Sequence, residues 1–146
     1  MNVRNFFTPE QQALIKAAIG KAEHETNGEI RLHLENNCDG DPVQRATAVF
    51  HRLHMHKTKN RNSVLFYLAV NHKKLAVVGD EAIHKLVSDD FWKNVTGHII
   101  ARFKEGNYTE GLCEGIAMTG EKLKSHFPHS IEKKNELPDD ISFGKN

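Results

Sequence analysis

The residues best placed to do chemistry in this chain are carboxylates that sit beside glycines and chain reversals. Glu29 follows Asn27-Gly28, Asp80 follows Gly79, and Asp89-Asp90 follow Ser88. Carboxylate oxygens are hard donors that hold a cation at roughly 2.3–2.6 Å. Without an attendant Cys or His pair they favour calcium or magnesium over zinc. A second acidic group, Asp39-Gly40-Asp41, lacks the EF-hand spacing and its closing Glu, and Asp41 before Pro42 reads as a helix cap. His51 and His54 stand three apart, a spacing that can put two imidazoles on one metal, with His56 close behind. No HExxH pattern accompanies them, and the solvated face of a helix is the preferred account of them. Cys38 and Cys113 form no CxxC and read as two free thiols in a reducing compartment. No Ser or Cys nucleophile stands in a recognisable arrangement with a His base.

These residues must be positioned by elements that the pattern of the chain predicts. Thr8-Pro9-Glu10-Gln11 opens a helix with a cap, a proline at its first position and a capping-box Gln. Leu14, Ile15, Ala18, Ile19 and Ala22 give it an apolar stripe, and Asn27-Gly28 stops it. Residues 29–35 alternate Ile30, Leu32, Leu34 against Arg31, His33, Glu35, the mark of a strand with one apolar face. A second helix follows Asp41-Pro42. Residues 64–70 are apolar on both faces and read as the central strand, and residues 75–78 return after a tight turn at Asn71-His72-Lys73-Lys74. Three helices follow: a short one over 81–87, one opening at Ser88 or Asp89, and one from about 109 to 126 that Pro128 ends. Gly106, Gly111, Gly115 and Gly120 follow no strand, so close helix packing explains them better than a phosphate loop. Residues 129–146 are polar without periodicity and are expected to form a loose tail beyond a domain spanning 1–128.

The order of these elements gathers the acids. Strand, helix, strand makes the first two strands parallel, and the hairpin makes the third antiparallel to the second. The start of the first strand, the start of the second and the end of the third then share one end of the sheet. Glu29 and Asp80 are thereby two strand spacings, about 10 Å, apart, near enough for one cation to bridge. Asp89, Asp90 and Glu81 approach the same rim. The alternative is that Asp80 and Asp89 cap helices and Glu29 is a solvated strand end.

Totals narrow the function classes. With 146 residues the chain fits one domain. Lys plus Arg number 20 against 19 Asp plus Glu, so no global field steers nucleic acid or an anionic membrane. The one basic cluster, residues 56–61, has no aromatic interleaving, and no nucleic-acid partner is expected. No secretory signal and no stretch of roughly 20 apolar residues is legible. A soluble, cytoplasmic monomer is the expectation.

Several segments resemble the TPM domain family when taken in order. They are Phe7-Thr8-Pro9-Glu10, Glu23, Thr26-Asn27-Gly28-Glu29-Ile30, Arg61-Asn62-Ser63-Val64-Leu65, Gly79-Asp80, Phe91-Trp92, Phe103 through Gly106-Asn107-Tyr108, and Gly111-Leu112. The resemblance covers roughly residues 6–128, with Ser63 standing where the family usually has glycine. It implies a three-layer α/β/α sandwich with a small mixed central sheet. It also implies divalent-cation binding, with Glu29 and Asp80, and then Asp89 and Asp90, at the family's acidic positions. The family includes thylakoid-lumen proteins of photosystem repair and nematode receptor auxiliaries, and one plant member is linked to phosphatase activity.

The first expectation is therefore a domain that binds calcium or magnesium. The second is a metal-assisted phosphatase, in which the cation polarises a phosphoryl oxygen, Asp80 or Asp89 handles the attacking water, and Arg61 is the sole nearby cationic clamp. The third is a protein-interaction adaptor in which the acids play no part.

Overall fold

A computed structural model describes residues 2–130 and 137–145. Helix α1 (Pro9–His24) opens with the capping box that the sequence predicts. Gln11 N–H donates to Thr8 Oγ1 at 3.1 Å, and Thr8 N–H donates to Gln11 Oε1 at 2.9 Å. Strand β1 (Glu29–Glu35), helix α2 (Pro42–Arg52), strands β2 (Ser63–Ala69) and β3 (Lys74–Gly79), and helices α3 (Glu81–Leu86), α4 (Asp89–Lys104) and α5 (Tyr108–His126) follow in turn. A two-residue strand, β4 (Ser142–Phe143), completes the fold.

The sheet runs β3-β2-β1-β4. β1 and β2 are parallel, with Glu29 opposite Ser63 and Glu35 opposite Ala69. β2 and β3 are antiparallel, with Val64 opposite Gly79. Both relations are those that chain order predicts. On one face, Ile30, Leu32, Leu34, Val64, Phe66 and Leu68 pack in a core with Ile15 and Ile19 of α1, Val95 and Ile99 of α4, and Leu112 and Ile116 of α5. On the other, Leu65, Tyr67 and Ala69 meet Ala46, Val49 and Phe50 of α2. β2 is buried along its whole length, which is why it is apolar on both faces. The result is an α/β/α sandwich around an open mixed sheet. The glycines of α5 serve close packing: a Cβ at Gly115 would lie 2.7 Å from Ile99 Cγ1, and one at Gly120 would lie 3.2 Å from Ala22 Cα.

The expected loose tail is corrected over its described part. Residues 131–136 lie outside the described residues, but β4 pairs in parallel with β1, placing His33 opposite Ser142 and Leu34 opposite Phe143. Gly144 N–H donates to Leu34 O at 2.7 Å. Leu137 and Ile141 are 8% and 7% exposed, the first packing on the α2 side and the second on the α1 side. Leu137, Ile141 and Phe143, spread through a polar stretch, show no period. The open edge of β1, whose backbone groups need partners, is what selects their conformation.

The polar face of β1 is also buried, and one carboxylate organises it. Glu35 is 0% exposed. Arg45 of α2 grips it in a two-pronged pair, Nε to Oε2 at 2.7 Å and Nη2 to Oε1 at 2.9 Å. Tyr67 of β2 donates its hydroxyl to Oε2. His33 Nε2 lies 3.2 Å from Oε1, and its Nδ1 lies 2.9 Å from Ser142 Oγ. Burial alone would raise the Glu35 carboxyl. The hydrogen bonds from Arg45, Tyr67 and His33 outweigh it and hold the group down at about 2. Burial lowers His33, which is therefore a neutral ring that donates to Glu35 and accepts from Ser142. The chain Ser142–His33–Glu35 has the order of a nucleophilic relay, but its carboxylate is saturated and its histidine is 1% exposed. It ties α2, β1, β2 and β4 together.

Three stability outcomes follow. Arg45→Met should cost about 2–3 kcal/mol in denaturant unfolding, below the 3–5 of a fully buried pair because Arg45 is partly exposed. Glu35 stabilises the fold above its ordinary value of 4.5, and that contribution is lost as pH falls toward about 2. Arg45→Met should accordingly move the acid-unfolding midpoint to higher pH. Ile141→Ala should cost about 2 kcal/mol, whereas a loose tail would leave stability unchanged. Gly115→Ala should cost about 1–3 kcal/mol and be partly rescued by Ile99→Val.

Candidate functional site

The acidic end of the sheet is built by the register of three strands. Glu29 faces Ser63 across β1 and β2, and Asp80 N–H donates to Ser63 O at 2.9 Å. Glu29 and Asp80 thus flank Ser63 at one sheet end, as the topology requires. The serine that replaces the usual glycine is fully buried and donates through Oγ to Met55 O at 2.7 Å, pinning the turn after α2.

Asp80 is 6% exposed and its oxygens are engaged. Arg61 Nε donates to Oδ2 at 2.8 Å and Nη2 to Oδ1 at 2.9 Å. Glu81 N–H donates to Oδ1 at 2.8 Å, so Asp80 also caps α3. Arg61 is directed there by its left-handed backbone, φ 51°, and its Nη1 lies 3.5 Å from Glu81 Oε1.

Glu29 is 1% exposed, so the reading of a solvated strand end fails. Its neighbours are carboxyls that the sequence reading did not name as site residues. Glu23, in the last turn of α1, is 5% exposed and accepts Ile30 N–H on Oε2 at 2.8 Å. Its side chain is hydrogen-bonded to Asp139 and to Glu29. Burial, then the bond to Asp139, then Glu29 push the Glu23 carboxyl far above the ordinary range, against the opposing pull of the Ile30 amide. The protonated form of Glu23 is thereby favoured beside these acids. Gly28, between α1 and β1, lets α5 pack closely, since a Cβ there would stand 2.9 Å from Leu123 Cδ1. Glu23 had a legible signal: it continues the four-residue spacing of the buried Ile15 and Ile19. Asp139 had none, because its position depends on the docking of the tail.

Asp89 and Asp90 are exposed in the first turn of α4, where the positive helix end accounts for them. No hydrogen bond or ion pair links them to Glu29 or Asp80 among the described residues. Nor, among those residues, do any three His, Cys, Asp or Glu side chains stand as a ready metal cage.

The acidic loop and the cysteines resolve as local structure. Asp41 caps α2 through Gln44 N–H at 3.1 Å. The Lys74 ammonium occupies the loop's carbonyls, 2.8 Å from Cys38 O and 2.9 Å from Gly40 O. Beside them lies an open cleft of about 480 Å³, lined by residues 37–41, Gln44 and Arg45. Cys113 is partly buried, and burial followed by Glu110 and Glu114 raises its thiol, the reverse of an activated nucleophile. No helix among the described residues is long and apolar enough to cross a membrane.

Comparison with known proteins bears on this geometry. The fold is similar to the NMR structure of BA42 protein from the psychrophilic bacterium Bizionia argentinensis, with TM-score 0.89 and 44% identity over 95% of this chain and 96% of that one. It is also similar in fold to the N-terminal domain of cg2496 protein from Corynebacterium glutamicum, with TM-score 0.66 and 13% identity over 86% of this chain and 80% of that one. A third likeness is the N-terminal domain of a protein from P. gingivalis, with TM-score 0.68 and 18% identity over 85% and 82%. Comparison with curated proteins returned no match. The sequence matches the family model of the TPM domain over residues 2–122, and the chain belongs to that family.

Proposed function

We propose that this TPM domain binds a divalent cation, calcium or magnesium, through Glu29 together with Glu23 and Asp139. The observation that carries the reading is Glu23, hydrogen-bonded to both other acids, with Glu23 and Glu29 buried at one end of the sheet and Asp139 partly exposed beside them. The three do not stand as a ready cage, and the ion would draw them together. Carboxylates removed from water need their charge neutralised. A shared proton does this at one oxygen pair, and a divalent ion does it for the whole group. The donors are hard oxygens, which suit calcium or magnesium. Binding would displace the Glu23 proton, so affinity should rise with pH. Asp80 enters the shell only by giving up Arg61, and its part is to hold the neighbouring strand end.

The phosphatase reading ranks below binding for a specific reason. Arg61, the expected clamp for a phosphoryl group, is already committed to Asp80 and Glu81.

Thermal melting of chelator-treated protein tests the proposal. At a hundredfold excess of cation over the dissociation constant the gain is about 2.7 kcal/mol, a rise in Tm of roughly 5–10 °C. Because the folded-state value of Glu23 lies above its ordinary 4.5, its contribution is complete below 4.5 and is lost as pH rises toward the folded value. Glu23→Gln keeps an acceptor for Ile30 N–H and carries no charge. It should melt higher than the metal-free parent at mildly alkaline pH, and it should lose the response to calcium and magnesium. Glu29→Gln should lose that response too, and Asp80→Asn should keep most of it. An unchanged cation response in both Glu23→Gln and Glu29→Gln would sink the proposal. Cation-dependent phosphomonoester turnover by the parent, abolished in Glu29→Gln, would restore the enzymatic reading.

A further inference from the structure

The histidines after α2 lie apart from the acidic end and carry an inference independent of it. Leu53 N–H and His54 N–H close back on Val49 O and His51 O at 2.9 and 3.0 Å, ending the helix. His54 then takes a left-handed backbone, φ 59°, which turns the chain into a short 3-10 segment, Met55–Lys57. Met55 is fully buried, and its carbonyl accepts the Ser63 hydroxyl, so this segment is fixed on the core. The His56 ring is thereby carried back over the last turn of α2. Its centroid stands 4.8 Å from that of His51, with the rings tilted 58°. The exposed His54 ring stands 6.4 Å from His56. His56 Nδ1 is buried and has no hydrogen-bond partner among the described residues. Arg61, the nearby guanidinium, is turned to Asp80 and Glu81.

The spacing matches a chelate. A zinc ion lies roughly 2.0–2.1 Å from an imidazole nitrogen and hence about 3.2 Å from the ring centroid. Two rings on one ion, at bond angles between about 90° and 110°, then have centroids about 4.5–5.2 Å apart. The 4.8 Å separation of His51 and His56 falls in that interval. We infer that His51 and His56 form a two-imidazole site for a borderline transition-metal ion of the zinc or nickel class. Water fills the other positions, and the exposed His54 side chain can swing in as a third ligand. Imidazole nitrogen is a poor donor for calcium and magnesium, so the two cation sites take different ions.

Titrating zinc or nickel into the chelator-treated full chain, with histidine ring signals followed by NMR, tests the site. One ion should saturate it and shift the His51 and His56 rings first. His51→Gln and His56→Gln should each weaken binding by at least about tenfold, equivalent to 1.4 kcal/mol, and His54→Gln by less. His24→Gln should leave binding unchanged, although that ring lies 6.0 Å from His129. Excess calcium should not displace the ion. His51 is exposed, so His51→Gln separates loss of a ligand from loss of the fold. The inference is overturned if the parent binds neither ion, if His51→Gln binds as tightly as the parent, or if the loss appears in His24→Gln instead.

Discussion

A carboxylate taken wholly out of water costs several kcal/mol unless charge and hydrogen bonds meet it in good geometry. Glu35 is met from four elements at once. Arg45 reaches it from α2, Tyr67 from β2, His33 from its own strand, and Ser142 from β4 through His33. The demand of that one group fixes where α2 lies on the sheet. It also explains why a polar edge strand of two residues docks at all. The apolar cores on either face supply most of the burial, but burial is non-directional. The Glu35 network adds direction, because its geometry is satisfied in only one register.

The two sheet ends handle buried acids in opposite ways. At the trailing end of β1 the carboxylate stays ionised because a guanidinium and two neutral donors meet it. At the leading end Glu23 meets Asp139 and Glu29, and burial beside those acids favours its protonated form. An acid neutralised by a proton is open to exchange for another cation, whereas one held by Arg45 is not. That contrast is what supports the proposal of an ion-binding role for Glu23 and Glu29. It also links the role to the tail, since Asp139 arrives on the same segment that continues into β4.

Much of this fold was legible in the sequence. The capping box at Thr8, the alternation in residues 29–35 and the doubly apolar run at 64–70 each encode local structure directly, because side-chain periodicity and cap chemistry act over a few residues. Chain order alone brought Glu29 and Asp80 to one sheet end, since a βαβ unit and a hairpin leave little freedom. Reading the tail failed because Leu137, Ile141 and Phe143 have no period of their own. The left-handed turns at His54 and Arg61 were likewise invisible, lying within a polar loop without glycine.

The sequence by itself determined which residues form the helices and the first three strands, the pairings among those strands, and that Glu29 and Asp80 share one sheet end. These follow from short-range propensity and connectivity. Only the tertiary structure decided how those acids divide. Asp80 is claimed by Arg61 and by the start of α3, while Glu29 is buried beside Glu23 and Asp139, which come from a helix end and a docked tail. Protonation, pairing and solvent exclusion depend on which groups meet across long sequence separations in a low-dielectric place. No local pattern carries that, because the energy of a buried charge is set by all its neighbours at once.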